Sequence, residues 1–282
     1  MKEGGNHEVV RTRGGALAMR SLDAGEVMHP GVGPVVEAEQ LYVRQSRLEE
    51  RLRQAAPLVL FDVGLGAGSN AFAARAVSER ALEGAARLQL VSFERDLGAL
   101  ALALATPAAF GIDGEAEAAG RALLERGVHE TARTTWRLEH GDVVEALARE
   151  AARADVVYWD PFSPRANPTL WTVAAFAAIR RVAGPRCTLF TYSASTATRV
   201  ALLLAGWAVG VGDPIGDKAQ TTAAAVEVSD LARPLERTWL TRLARADAPL
   251  PPDAPADAVR RVEESPQFGA APSPRGAGRR SG

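Results

Sequence analysis

From residue 57 onward, short apolar runs alternate with segments whose apolar residues recur at helical spacing. This alternation predicts an α/β fold with a doubly wound, mostly parallel sheet. Two apolar runs follow the last helix, at 207–211 and 221–228, and predict an antiparallel hairpin at one end of the sheet. The other predicted strands are Leu58–Asp62, Leu88–Glu94, Thr135–Glu139, Val156–Asp160 and Arg186–Tyr192, and the predicted helices are 68–82, 96–109, 142–152, 169–183 and 195–205.

The segments around this pattern divide the chain into three parts. Residues 1–16 are glycine-rich and polar, and we expect a flexible N-terminus. The domain itself is expected to span 17–232, with an N-terminal elaboration at 17–56 and an insertion at 111–134. Residues 233–247 predict one more helix. After it proline, alanine, glycine and charge dominate, so we expect the tail from 248 to 282 to be disordered.

Composition narrows the class of protein. The chain is 47% hydrophobic, yet no apolar run approaches the ~20 residues that span a bilayer. The N-terminus lacks the form of a secretory signal, and the single cysteine, Cys187, allows no internal disulfide. We therefore expect a cytoplasmic protein without membrane contact, working as a monomer. A formal net charge of −1 lacks the overall basic footprint of a nucleic-acid binder, so an RNA partner would need a local basic patch.

The stretch from Asp160 to Trp171 contains the strongest candidate for chemistry. An apolar strand ends in the carboxylate of Asp160, and three prolines at 161, 164 and 168 stiffen the loop that follows. Proline cannot donate to a sheet ladder, so the strand must end there. Asp160 is therefore expected at the carboxyl edge of the sheet, where open α/β sheets bind ligands.

A glycine loop follows the first predicted strand of the domain and opens a helix. Its glycines have the spacing G-x-G-x-G, which differs from the dinucleotide fingerprint G-x-G-x-x-G and makes a nicotinamide oxidoreductase the weakest reading. Asp62 directly before the loop suits a ligand with positive charge, such as S-adenosylmethionine. The cofactor-binding candidates in this stretch are Asp62, Gly64, Gly66, Gly68 and Asn70.

Two further acids end the next strands. Glu94 could accept the ribose hydroxyls of a nucleoside that lies over the sheet, or it could be a solvated charge. Asp142 could accept the adenine amino group, or it could be an ordinary helix N-cap. The recurrence of acids at successive strand ends favours the functional interpretation.

The sequence from Asp160 to Trp171, D-P-F-S-P-R-A-N-P-T-L-W, resembles the D-G-F-x-P-x-x-N-P-x-x-W motif of the MnmC-like methyltransferases. Four other stretches are similar to that family: 33–42, 64–70, 193–206 and 216–218. The resemblance covers about 20–228. It implies a class I methyltransferase (Rossmann-like) fold, S-adenosylmethionine as cofactor, and the aminomethyl group of a modified wobble uridine in tRNA as methyl acceptor. Pro161 replaces the usual glycine, and Asp62 stands where glutamate is frequent.

Bifunctional family members carry an FAD-dependent oxidoreductase domain after the methyltransferase. The resemblance therefore implies a stand-alone, single-activity form without oxidoreductase activity. In that scheme Asp160 holds the amine and receives its proton, and Tyr42 closes over the cofactor. The substrate candidates are Phe162, Asn167, Trp171 and Lys218. Phe162 and Trp171 could stack on a base, although Trp171 could instead pack on the sheet. Asn167 could contact the substrate or cap a helix, and Lys218 could contact a phosphate or be a solvated charge.

Other functions fit parts of this pattern. The acceptor could be a small amine or a protein side chain, which the acidic body of the chain favours. Aminopropyl transferases share the sheet and a strand-end aspartate, and they would use a decarboxylated cofactor. A non-catalytic tRNA-binding scaffold on a decayed methyltransferase fold is a third alternative, against which the intact glycines, Glu94, Asp142 and Asp160 argue.

Overall fold

An eight-stranded sheet forms the centre of the molecule. The computed structural model describes residues 6–12, 14–29, 31–54 and 56–269. The strands in chain order are β1 (His7–Arg11), β2 (Leu17–Ser21), β3 (Glu26–Val27), β4 (Leu58–Val63), β5 (Leu88–Glu94), β6 (Val128–Glu130), β7 (Thr134–His140), β8 (Ala154–Trp159), β9 (Ala183–Thr191), β10 (Ala208–Gly212) and β11 (Thr221–Ala225).

Helices cover both faces of this sheet. The α-helices are α1 (Pro34–Glu37), α2 (Leu48–Leu52), α3 (Ser69–Glu79), α4 (Gly98–Ala105), α5 (Gly114–Arg126), α6 (Val143–Arg149), α7 (Val173–Arg181), α8 (Thr196–Leu204), α9 (Leu240–Leu243) and α10 (Ala258–Glu263). A π-helical segment, Ala38–Arg44, continues α1. Short 3₁₀ turns are Pro107–Phe110, Pro168–Trp171, Val228–Asp230, Arg237–Trp239 and Pro266–Phe268.

The strand order of the large sheet is β10-β11-β9-β8-β4-β5-β7-β6. Strands β9, β8, β4, β5 and β7 run parallel, whereas β11 is antiparallel to both β9 and β10. The doubly wound sheet with its terminal antiparallel hairpin is thereby confirmed. The chain leaves β4 toward β5 on one side and returns to β8 on the other, so the β4/β8 boundary is the switch point at which such sheets bind ligands.

The central strands are buried on both faces, which explains their nearly continuous apolar sequences. In β8, five of the six residues from Ala154 to Trp159 are buried. The rings of Trp159 and Phe176 pack with centroids 5.0 Å apart, and because Phe176 belongs to α7, this contact packs α7 against one face of the sheet. Tyr158, the next residue back, points to the other face and meets Tyr42 at 5.1 Å. The alternation of β8 side chains thus joins helices on both faces through one strand.

The N-terminal elaboration contains a small sheet of its own. Strands β1, β2 and β3 form an antiparallel meander, and β1 covers part of the segment that we expected to be flexible. The prediction of a flexible N-terminus is therefore wrong for His7–Arg11, because these residues find a full ladder on β2. Residues 1–5 lie outside the described part of the chain.

The C-terminal region is also more ordered than its composition predicts. The helix expected at 233–247 is limited to a 3₁₀ turn and α9. Beyond it, disorder from residue 248 is wrong as far as residue 269, because a few apolar side chains and one amide make specific contacts with the core. Phe268 stacks on Trp239, and Gln267 bonds both the N–H and the C=O of Val209. Residues 270–282 lie outside the described part of the chain.

Two local predictions need correction at their boundaries. The helix expected at 169–183 is a 3₁₀ turn followed by α7, because Thr172 is extended and its hydroxyl accepts from the N–H of Ala175 as a cap. The insertion at 111–134 forms α5 and the edge strand β6. Within the described ranges, no helix has both the length and the apolar character needed to cross a membrane.

Candidate active site

A cavity of about 750 Å³ opens at the carboxyl ends of β4, β5, β7 and β8, within the range of ligand pockets. The small N-terminal sheet closes one side of it, through residues between Ser21 and His29. Of the residues that we predicted for the site, those that line this cavity are Gly64, Gly66, Glu94, Asp142, Asp160, Phe162, Asn167 and Lys218.

The glycine loop forms the floor of the cavity beside β8. Gly64 has a φ of +87°, a conformation that favours glycine, and a Cβ atom built there would lie 2.7 Å from the backbone oxygen of Asp160. The loop can therefore touch the end of β8 only because residue 64 has no side chain. Gly66 lines the cavity in the same left-handed region, and its N–H donates to Glu94. Gly68 does not line the cavity; it begins α3 and packs against Phe72.

Glu94 and Asp142 reach the cavity but already have backbone partners. One oxygen of Glu94 accepts from the N–H of Gly66 at 2.9 Å, and the other accepts from Arg95 and Asp96. These bonds fix the carboxylate at the cavity wall. One oxygen of Asp142 accepts from Val144 and Glu145, so Asp142 is indeed the N-cap of α6. Its other oxygen takes no part in these bonds, so a contact between Asp142 and adenine stays a prediction.

Asp62 lies under the floor of the cavity, and its side chain is fully buried. Ser92 donates to one of its oxygens at 2.8 Å, and the other oxygen has no partner among the described residues. Burial raises the pKa of Asp62 to about 7, with the charges of Asp160 and Glu94 acting in the same direction. The expected direct contact between Asp62 and a cofactor is not supported by this position, because the side chain does not reach the cavity surface.

Asn70 and Tyr42, both predicted as cofactor contacts, also lie behind the cavity wall. Asn70 donates from Nδ2 to Asp160 at 2.7 Å. Tyr42 is fully buried against Tyr158, and its hydroxyl lies beside the Asp160 carboxylate, whose pKa it acts to lower. Neither residue lines the cavity, so their positions do not support the predicted cofactor contacts. Sequence spacing could not show that Asn70 meets the Asp160 carboxylate instead.

Asp160 stands where the two walls of the cavity meet. Its N–H donates to Val63 at the end of β4, which fixes the backbone, and Asn70 fixes one carboxylate oxygen. Burial raises the pKa of Asp160 to about 6, although the neighbouring His29 and the bond from Asn70 act against that rise. The carboxylate is thus mostly ionised at neutral pH, while only 7% of its side chain is exposed. A carboxylate in this state can accept hydrogen bonds and a proton from an amine.

The loop after Asp160 is held in place by its own aromatic residue. Trp171 is buried, and its indole N–H donates to the carbonyl of Phe162 at 2.8 Å. Its ring meets those of Tyr192 and Phe176 edge-on. The expected stacking of a base on Trp171 is therefore wrong, since the residue is only 3% exposed and does not line the cavity. Phe162 is half-buried and lines the cavity, so its role as a substrate surface stays a prediction.

Asn167 and Lys218 both line the cavity. The side chain of Asn167 accepts from the hydroxyl of Thr169 and does not cap a helix. The ammonium of Lys218 lies 4.3 Å from the centre of the Tyr192 ring, a cation–π distance. Tyr192 in turn donates to the carbonyl of Pro161 at 3.0 Å, which connects the two loops.

A clamp between the N-terminal sheet and the Asp160 loop was not predicted. Glu26 of β3 accepts from both the N–H and the hydroxyl of Ser163 and from Arg165. Although burial acts to raise the pKa of Glu26, the bonds from Ser163 and Arg165 outweigh it and hold that pKa below its usual range. No sequence signal pointed to this pair, because 137 residues separate its members.

His29 and Glu37 also escaped the prediction as site residues. The two imidazole nitrogens of His29 lie 3.6 Å from Glu37 and 3.8 Å from Asp160, inside the cavity. Glu37 lies within the stretch 33–42 that is similar to the MnmC-like family, but the sequence assigned it no role. The only sequence signal for Glu37 was its spacing from Tyr42 on one helical segment. That spacing could not predict that Glu37 lies close to His29 and Asp160.

The cavity lining is strongly acidic. Two cationic side chains, Arg95 and Lys218, and two histidines, His7 and His29, line it among the described residues. The carboxylates that line it are Asp23, Glu26, Glu37, Glu94, Asp96, Asp142 and Asp160. Such a lining attracts positively charged ligands and repels a diphosphate.

Comparison with known proteins agrees with this architecture. A family profile described as S-adenosyl-L-methionine-dependent methyltransferase matches residues 119–227. The bifunctional MnmC protein of tRNA 5-methylaminomethyl-2-thiouridine biosynthesis from Burkholderia thailandensis is 30% identical over 194 residues, which cover 65% of this chain and 30% of that protein. The MnmC protein of Burkholderia mallei is 31% identical over 199 residues, with the same coverage.

The crystal structure of MnmC2 from Aquifex aeolicus has the same fold. It superposes with a TM-score of 0.71 at 24% identity and covers 94% of this chain and 86% of its own. The chain is therefore similar to the methyltransferase part of the MnmC proteins and has the fold of MnmC2. It spans about 30% of the length of the curated MnmC relatives it matches.

The matched profile describes methyltransferases that depend on S-adenosyl-L-methionine, and the lining of the cavity fits this cofactor. The backbone of Gly64 and Gly66 is open to the cavity, while Glu94 and Asp142 present carboxylates from the ends of the next two strands. The acidic lining suits a molecule that carries an ammonium and a sulfonium. Gly64, Gly66, Glu94 and Asp142 line the cavity, and their binding of the cofactor stays a prediction.

Proposed function

We propose that this protein methylates a primary amine, and that the amine is the aminomethyl group of a modified wobble uridine in tRNA. The observation that supports this most directly is the position of Asp160. Its buried carboxylate follows β8, lines the cavity and accepts from Asn70 at the start of α3, while its backbone oxygen lies against Gly64 of the glycine loop. An amine bound by Asp160 would therefore lie beside a cofactor held by that loop.

The proposed reaction is a displacement in which the amine attacks a methyl carbon. S-adenosylmethionine would supply that methyl group on a sulfonium, which makes it electrophilic; the C–S bond would break and its electron pair would leave on sulfur as a neutral thioether. The protein's own task is to bind the amine, remove its proton and aim its lone pair. Alignment of this kind can supply several orders of magnitude in rate. The amine enters as an ammonium, and Asp160 accepts its N–H bonds and then its proton.

The surroundings of Asp160 support this role. Asn70 donates to one carboxylate oxygen and leaves the other available for an incoming amine. With a pKa of about 6, Asp160 is ionised at pH 7.5 yet basic enough to take up a proton transiently. Phe162 and Asn167 belong to the same rigid loop and offer an apolar and a polar surface for the group that carries the amine.

The tRNA assignment rests on the relatives and on the loop sequence. The Burkholderia proteins are named for biosynthesis of 5-methylaminomethyl-2-thiouridine in tRNA. The loop from Asp160 to Trp171 resembles the motif of that family, and the carboxylate it begins with suits an aminomethyl group. A tRNA substrate would place the protein in the cytoplasm. Phosphates would have to bind outside the acidic cavity, near its rim at Lys218.

A small free amine is the second candidate. The observation in its favour is the acidic lining, in which seven carboxylates face two side-chain cations. Such a cavity attracts a cationic amine of any origin. The two candidates differ in whether the amine must be attached to RNA.

Purified protein should be incubated with labelled S-adenosylmethionine and either tRNA that carries the aminomethyl group or a panel of small amines. We expect methylaminomethyl nucleosides in the digested tRNA, and a 10²–10⁴-fold loss of kcat in Asp160→Asn with unchanged cofactor affinity. Labelled small amines with unlabelled tRNA would favour the second candidate. Cofactor binding without transfer to either acceptor would contradict the proposal.

A further inference from the structure

His29 lies between two carboxylates in the cavity. Its Nδ1 is 3.6 Å from Glu37 and its Nε2 is 3.8 Å from Asp160, both long for hydrogen bonds but within ion-pair range. These three side chains are each at most 13% exposed. They come from three places in the chain, the turn after β3, the end of α1 and the end of β8, so the arrangement is made by the fold and not by one local motif.

The geometry itself indicates the charge of the ring. A neutral imidazole has one N–H donor and one lone pair, and the lone pair would face a carboxylate wherever the proton sits. An imidazolium has two donors and suits both neighbours. We propose that His29 is a positioning residue of the methyl transfer: as an imidazolium it bridges Glu37 and Asp160 and keeps the Asp160 carboxylate ionised for the incoming amine.

The electrostatics of the cluster act in this direction. Burial alone would lower the pKa of His29, but Glu37 and Asp160 outweigh it and the net pKa is raised. His29 in turn opposes the rise that burial and Glu37 impose on the pKa of Asp160. The other groups that face His29 and Asp160 are Lys218 from the loop before β11, Tyr42 from the π-helical segment, Asp62 from β4, Asn70 from α3 and Tyr192 after β9.

The backbone at His29 supports a specific role for this side chain. Its φ is +52°, in the left-handed region that costs most residues about 1–2 kcal/mol. Met28, the residue before it, is fixed by a bond from its N–H to Met19. The turn thus holds His29 in a disfavoured conformation that directs its ring between the two carboxylates.

The catalytic part of this inference rests on the proposed function. Asp160 must be ionised when the ammonium arrives, since a protonated carboxyl can neither pair with it nor take its proton. Without the imidazolium the pKa of Asp160 should rise. The protein would then need a higher pH to reach the same fraction of active enzyme.

The first experiment needs no tRNA. Proton NMR of the ring Hε1 atoms follows the four histidines, and His29→Asn identifies the His29 signal. Asparagine is chosen because it tolerates the left-handed backbone. We expect His29 to titrate above 6.5, and Asp160→Asn to lower its midpoint by about half a unit or more, because coupling between two sites is reciprocal. The inference would be overturned if the titration midpoint of His29 were 6.5 or below and did not change in Asp160→Asn.

The second experiment is the pH profile of kcat/KM for methyl transfer. His29→Asn should move the acidic limb of this profile up by about one pH unit. The variant should then have about fivefold lower kcat/KM than the unchanged protein at pH 6, and nearly the same kcat/KM at pH 8.5. The control is His7→Asn, whose cavity-lining ring neighbours Asp96 instead of Asp160 and should leave the limb in place. A uniform loss at every pH would make His29 merely structural and sink the inference.

The two experiments separate this inference from the proposed function. If no tRNA is methylated but His29 and Asp160 titrate as a pair, the proposed acceptor is wrong and the ionic bridge stands. If tRNA is methylated but the histidine midpoint and the acidic limb both stay unmoved, the function stands and the role of His29 falls.

Discussion

The two sides of the cavity are built in different ways. On the cofactor side, Gly66, Glu94 and Asp142 lie at the ends of neighbouring parallel strands, and their bonds stay within short loops or join adjacent strands. On the amine side, Glu26 and His29 come from the N-terminal sheet and its following turn, and meet a loop more than 130 residues later. The first side depends on the order of strands in one sheet; the second depends on how a separate small sheet docks.

This difference indicates where each side should fail. A change on the cofactor side should impair binding of S-adenosylmethionine whatever the acceptor. A change in the N-terminal sheet should impair use of the amine and leave cofactor binding intact. The two sides touch at Gly64 and Asp160, so the largest effect is expected there.

Gly64→Ala should damage both sides together. The new Cβ would lie 2.7 Å from the carbonyl oxygen of Asp160, which belongs to the backbone and cannot swing away. We expect at least a hundredfold weaker cofactor binding in calorimetry, loss of methyl transfer, and a lower melting temperature. The matched control is Gly84→Ala, where φ is also strongly positive, +83°, but no atom lies within 4 Å. That variant should show only the backbone strain of about 1–2 kcal/mol. Equal behaviour of both variants would show that contact with Asp160 does not matter.

The sequence could predict the cofactor side because strand ends are visible as the points where apolar runs stop. The positions of Gly64, Gly66, Glu94, Asp142 and Asp160 on the cavity follow from that rule and from parallel pairing alone. The fold class and its hairpin followed from the same alternation, whereas the family resemblance supplied the chemistry.

The amine side could not be predicted in the same way. Whether Trp171 offers a face or anchors a loop depends on Phe162 and Tyr192, and whether Tyr42 reaches the cavity depends on its packing with Tyr158. Local periodicity carries no information on such contacts. The order of residues 248–269 was missed for a related reason, since composition counts apolar residues but cannot show that Phe268 finds a partner in Trp239.

A pair of charge-removing variants tests the separation of the two sides. Glu94→Gln should weaken S-adenosylmethionine binding about 10–100-fold, because a cofactor hydroxyl loses a charged acceptor worth a few kcal/mol. Glu26→Gln should instead raise KM for tRNA about tenfold at unchanged cofactor affinity, because the amide accepts less strongly from Ser163 and Arg165 and loosens the Asp160 loop. Each variant is the control for the other. Parallel losses in both assays would mean that the cavity behaves as one unit.

The smallest effect concerns Asp62, the acid that lies beneath the cofactor side without reaching it. Its pKa is raised from 3.8 to about 7 in the folded protein, so folding retains a proton that the unfolded chain releases. The bound proton adds to the free energy of unfolding. This contribution is present in full below pH 4 and is lost as the pH rises through 7. Between pH 6 and pH 8 the loss is about 1 kcal/mol, and Asp62→Asn should remove it. The difference in melting temperature between Asp62→Asn and the unchanged protein should therefore change by ~2–4 °C from pH 6 to pH 8, with the variant gaining as the pH rises. The control is Asp217→Asn, the same change of side chain at an exposed position. Because the side chain lies under the floor, cofactor affinity should change less than threefold; a larger loss would return Asp62 to the cofactor site.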